Sequence, residues 1–233
     1  MNDRLARLGA CCFAAFPAVL VLAFALHFAG EFTPAQALEL ELRYVQPPPE
    51  RFMEVFRSGS ALDFVLPHLL VYLALPLLVP GVLAFAAPLF RARPRLAVAG
   101  AATSLAGLVF MGGVFGSWLS FSAIGRVGAD QVEGAVPALA ALIRGSSMLT
   151  LTSLLGGLSL LGIVVLAAGL LRTRAVPRWQ PALVLAGNAV ILAFMDLDNL
   201  MLVGAALWLA GAIGMARAPG RSLAAADASA PAA

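Results

Sequence analysis

Two histidines, His27 and His68, are the only imidazoles in this 233-residue chain. Imidazole nitrogen ligates haem iron, copper and zinc, so the pair is the first place to look for chemistry. Tyr72 follows His68 by four residues and shares its helical face, where it could orient a ligating ring. The plainer reading is a pair of histidines at a membrane interface, hydrogen-bonded to loop carbonyls or to carbonyls freed by proline.

A second polar group comprises Asp196, Asp198 and Asn199, which together with Asp63 and Glu31 offer hard oxygen donors suited to Ca²⁺ or Mg²⁺. The same residue types commonly make a tight turn by bonding their own backbone, and the turn is the simpler account. Asn188, in mid-span, reads as an interhelical hydrogen bond. Cys11 and Cys12 are adjacent and alone, which implies neither a disulfide framework nor a zinc site.

Catalytic motifs are missing from the sequence. Gly116-Ser117 and Ser120-Phe121-Ser122 do not make a Gly-x-Ser-Gly nucleophile pattern, and no His-Glu-x-x-His or Gly-x-Gly-Asp pattern occurs. Ion-coupled transport draws on carboxylates inside the spans, and these spans hold almost none. No catalytic residue is therefore assigned.

The elements that must position these residues are membrane helices. Hydrophobic residues make up 61% of the chain and charged residues 12%, about half the charged share of soluble domains. Mean hydropathy is +0.95. All the basic residues behind the net charge of +3 are arginines, most of them just outside apolar runs, a topology signal rather than a nucleic-acid surface. The lack of lysine and the abundance of Ala, Arg, Gly and Pro resemble the coding bias of a GC-rich bacterial genome, which points to a bacterial cytoplasmic membrane.

The pattern predicts an all-α bundle of six spans, near 8–29, 62–90, 96–124, 148–171, 181–195 and 200–216. They form one membrane domain over 1–221, followed by a disordered Ala/Ser/Pro tail over 222–233. The last two spans are separated because one helix over 181–216 would reach about 54 Å, beyond a hydrocarbon core of about 30 Å. An acidic outer loop, 31–60, ends in a short amphipathic surface helix after Pro47, Pro48 and Pro49, and a second surface helix is expected over 137–143. Pro67, Pro76 and Pro80 are expected to kink the second span, because each removes a backbone N–H from the helical ladder.

Within the third span Gly100, Ser104, Gly112, Gly116 and Ser120 recur at multiples of four, broken at Leu108. Such a small-residue seam lets another helix backbone approach closely in lipid, and the fourth span, with Gly156, Gly157 and Gly162, is its natural partner. A neighbouring membrane protein or a second copy of the chain could use the same chemistry.

Leu171-Arg172, Val176-Pro177-Arg178-Trp179, Gly187, and Gly204 through Trp208 to Gly211 resemble the C-terminal hairpin of uncharacterised six-helix bacterial membrane proteins. The resemblance covers about the last third of the chain and implies architecture but no activity.

Taken together, the expectation is a non-enzymatic accessory or interaction subunit in the lipid bilayer, with no cofactor. The alternatives are a redox protein holding haem or a metal ion at His27 and His68, and a protein that binds or transports a lipid or small molecule.

His27 lies about one turn from the outer end of the first span and His68 about two turns from the outer start of the second, so antiparallel packing places them at similar depth. Six spans put both termini and ten arginines, at 4, 7, 91, 93, 95, 172, 174, 178, 217 and 221, on the cytoplasmic side. Reporters fused after Arg95 and after Arg174 should therefore read as cytoplasmic, and one within 31–60 as external. A reversed pattern, or the first two on opposite sides, contradicts this topology.

Overall fold

A computed structural model describes residues 3–27, 65–124, 147–173, 176–194 and 198–216. These are helical, with no strand among them: α1 (Asp3–His27), α2 (Leu66–Ala74), α3 (Leu78–Ala92), α4 (Pro94–Ile124), α5 (Ser147–Thr173), α6 (Trp179–Ala193) and α7 (Asp198–Ala216). A single 3₁₀ turn, Leu75–Leu77, joins α2 to α3, so the two form one rod and the described chain makes six rods. Among the described residues Arg4–His27, Leu66–Ala92, Pro94–Ser117 and Leu151–Thr173 are long and apolar enough to cross a membrane. Helices α6 and α7 are shorter, at 15 and 19 residues. Large apolar side chains face outward, with Val109, Leu154 and Leu73 more than half exposed. Water would not tolerate that surface, and lipid does. This is a membrane protein.

The second rod carries four prolines, Pro67, Pro76, Pro80 and Pro88. Pro67 falls in the first turn of α2, a position that tolerates proline. Pro80 lies in the first turn of α3, directly after the 3₁₀ turn. Pro88 lies inside α3 and withholds an N–H from the ladder there, while at Pro76 the helix changes form. The Leu75 N–H donates to the carbonyls of both Tyr72 and Val71, so the Tyr72 oxygen freed by Pro76 is satisfied by tightening the helix to 3₁₀ geometry.

Helices α4 and α5 pack backbone to backbone. A Cβ on Gly107 would meet the amide of Ser159, and one on Gly162 would meet the amide of Ser104 and the carbonyl of Gly100. The buried Ser104 hydroxyl donates to the Ser159 carbonyl at 2.8 Å, crossing from one helix to the other. The α6–α7 hairpin repeats the device: Gly187 faces the Gly204 carbonyl and the Trp208 backbone.

Aromatic rings bind these two pairs to the rest. Phe13 of α1 stacks on Phe85 of α3, with centroids 4.5 Å apart. Trp208 of α7 tilts against Phe13 at 5.8 Å and Phe16 at 5.4 Å. All four side chains are essentially inaccessible. Edge-on and offset aromatic pairs contribute about 0.5–1.5 kcal/mol beyond their burial, and three meet at this level of the bundle.

The contacts fix which ends lie together. Gly9 packs against Ala84 and Pro80, Gly169 against Leu89 and Leu96, and Gly211 against the Gln180 carbonyl. Every described arginine, namely Arg4, Arg7, Arg91, Arg93, Arg95, Arg172 and Arg178, therefore collects at one end of the bundle. The two histidines are at the other.

Candidate functional site

His27 is the last described residue of α1, and His68 is in the first turn of α2. Their rings are neighbours, with centroids 5.0 Å apart and planes inclined by 59°. Both side chains are half-buried. Phe115 of α4 closes a third side, 6.1 Å from the His68 ring. Tyr72, one turn along α2, lies over Gly116 of α4 and is 40% exposed. The site thus draws on α1, α2 and α4 at the end of the bundle away from the arginines.

The separation discriminates between possible occupants. For an imidazole bound at about 2.0–2.1 Å, the ring centroid lies about 3.2 Å from the metal. Two such rings stand about 4.5 Å apart at a 90° ligand angle, about 5.2 Å at the tetrahedral angle and about 6.4 Å when opposed. The observed 5.0 Å matches adjacent positions on a single ion. Axial ligation of haem needs the opposed arrangement with the macrocycle between the rings, and the residues as placed do not fit it. Among the described residues no third His, Cys, Asp or Glu joins the pair. Cys11 and Cys12 are sixteen and fifteen residues down α1, more than about 20 Å away.

The oxygen-donor group is only partly described. Asp198 and Asn199 open α7 at the histidine end, while Asp63, Glu31 and Asp196 lie outside the described residues. So do the outer loop 31–60, the 137–143 segment and the tail.

The small-residue seam divides between two neighbours. Gly100 and Ser104 face α5, as expected. Gly112 and Gly116 instead face the second rod, where a Cβ would come only within 3.9 Å of Leu75 and 4.0 Å of Tyr72, respectively. Ser120 is exposed, and its hydroxyl donates to the Gly116 carbonyl of its own helix. The reason is angular. At 100° per residue, each fourth position turns by about 40°, so Gly116 points about 160° away from Gly100. Positions 100, 104, 107 and 111 stay within about 60° of one another, and these are the ones that meet α5. The seven-residue spacing of Gly100 and Gly107 carried that information. A count by fours passes over it.

Three buried polar atoms have no hydrogen-bond partner among the described residues: Gln180 Oε1, Asn188 Oδ1 and Trp208 Nε1. Gln180 and Asn188 are eight residues, about 12 Å, apart along α6 and do not share a pocket. Among the described residues Asn188 makes no hydrogen bond to another helix, where the sequence pointed to one. Its Nδ2 donates to the Val184 carbonyl at 2.9 Å, inside its own helix.

No protein-family model, curated protein or solved structure matches the chain.

Because the Asn188 amide bonds only locally and leaves its oxygen unpaired, Asn188→Leu should leave the thermal midpoint in detergent unchanged or higher, within about 1 kcal/mol. A marked loss of stability would show that the amide has an essential partner.

Proposed function

We propose that this chain is a six-span protein of a bacterial cytoplasmic membrane, with both termini inside, acting as an accessory or interaction subunit that associates with another membrane helix. The supporting observation is a face of α4 that the described packing leaves uncovered. Gly113 is exposed, and a Cβ built there meets no described atom within 4 Å. Ser117 and Ser120 continue the same small-residue face, and their hydroxyls are already satisfied by the carbonyls of Gly113 and Gly116 at 2.9 Å. The face is narrow and apolar in effect. In lipid, association needs that kind of surface, because only close packing and interhelical contacts favour it.

The gathered arginines support the orientation, since arginine is retained on the cytoplasmic side during insertion. Helices α6 and α7 support the fifth and sixth spans: they form a tight antiparallel hairpin with Trp179 exposed at the arginine end, where an interfacial anchor belongs.

Cross-linking in the native membrane tests the association. With Cys11→Ala and Cys12→Ala as background, Ser120→Cys should form an adduct with a second copy or with a partner chain. Gly113→Leu should reduce its yield roughly tenfold, the factor expected for one small-residue contact, without lowering the thermal midpoint. No adduct of any mass, or a yield indifferent to Gly113→Leu, contradicts the proposal.

A further inference from the structure

We propose that His27 and His68 form a binding site for a single borderline divalent ion, Cu²⁺ or Zn²⁺, at the end of the bundle opposite the arginines. The inference is independent of the association through α4. It rests on three observations.

The first is distance. A 5.0 Å centroid separation falls between the about 4.5 Å and about 5.2 Å of two imidazoles at adjacent positions on one square-planar or tetrahedral ion, a spacing that tilted ring packing shares and that the titration below distinguishes from it.

The second is support. Each ring is carried on a helix rather than a loop, and those helices are locked together below the site. Gly81 of α3 packs against the Phe13 backbone of α1, Phe13 stacks on Phe85, and Pro67 sets the entry of the His68 helix. Phe115 covers one side of the His68 ring. Ligands fixed in this way lose little freedom when the ion arrives.

The third is donor type. Two imidazoles, with no thiolate beside them among the described residues, select Cu²⁺ and Zn²⁺ over the hard ions Ca²⁺ and Mg²⁺, which take oxygen, and over Cu⁺ sites built from sulfur. Both rings are half-buried, which leaves an ion a path to them. Protons compete for the same nitrogens, so affinity falls on acidification.

The test uses the full chain in detergent or nanodiscs, stripped with chelator and titrated with Cu²⁺ under electron paramagnetic resonance. One Cu²⁺ per chain should bind with superhyperfine splitting from two nitrogens, and Zn²⁺ should displace it. His27→Gln and His68→Gln should each weaken binding at least about tenfold, because the second ligand acts at high effective concentration once the first is engaged. Thermal midpoints of the metal-free variants report whether they fold. If a variant does not, the nitrogen count on the unmodified protein decides alone. Binding that the double variant retains, or a spectrum lacking two-nitrogen splitting, shows an adventitious ion only and overturns the proposal.

Discussion

Close approach of backbone to backbone is the constraint on which the rest of this structure depends. Between helices in lipid there is no gain from removing apolar surface from water, so cohesion comes from dispersion and from interhelical hydrogen bonds, both of which decay steeply with distance. Gly107 and Gly162 bring α4 and α5 near enough for the Ser104 hydroxyl to reach a carbonyl on the opposite helix. A side chain at either glycine would hold the helices apart and cancel both contributions together.

That crossing also determines where the site can be. With α4 fixed against α5, its second half diverges from the seam and turns toward the second rod, which carries Phe115 to His68 and Gly116 to Tyr72. From the other side, the Phe13, Phe16, Phe85 and Trp208 cluster holds α1 against α3 and α7, about 20 Å below His27 by helical rise. The two imidazoles meet because both helices that carry them are constrained well below the site. The 3₁₀ turn at Leu75–Leu77 changes the rod's geometry between the packed portion and the portion bearing His68, and the Tyr72 carbonyl of α2 just before it is satisfied by the Leu75 N–H.

Much of the helical architecture was legible from composition and arginine placement, because apolar runs and their charged flanks are local properties. The helix starts differ from the apolar runs by a few residues, as with Asp3 against 8, since polar residues at a helix end keep the helix but leave the hydrocarbon. Matching the depths of His27 and His68 needed only the helical rise and the direction of each span. Their lateral proximity depended on which helices are neighbours, which a sequence does not state. The division of the small-residue seam was hidden for a different reason: four-residue spacing approximates a face over two turns and leaves it over four. Asn188 shows a third limit. Mid-span amides have two ways to satisfy their donors, across helices or back onto their own, and only the Val184 carbonyl at 2.9 Å decides between them.

The most direct measurement of the account is the contact between α4 and α5 in a bilayer. A Cβ at Gly156 would lie 3.6 Å from the Cβ of Met111, inside the range of about 3.5–4.5 Å that a disulfide spans. In a chain carrying Cys11→Ala and Cys12→Ala, Met111→Cys with Gly156→Cys should oxidise nearly completely under mild conditions and raise the thermal midpoint. The pair Gly113→Cys with Gly156→Cys, which looks to another side of α4, should stay reduced. Equal and slow oxidation of both pairs would mean that the helices do not meet in this register, and the backbone contact proposed as the basis of the bundle would be wrong.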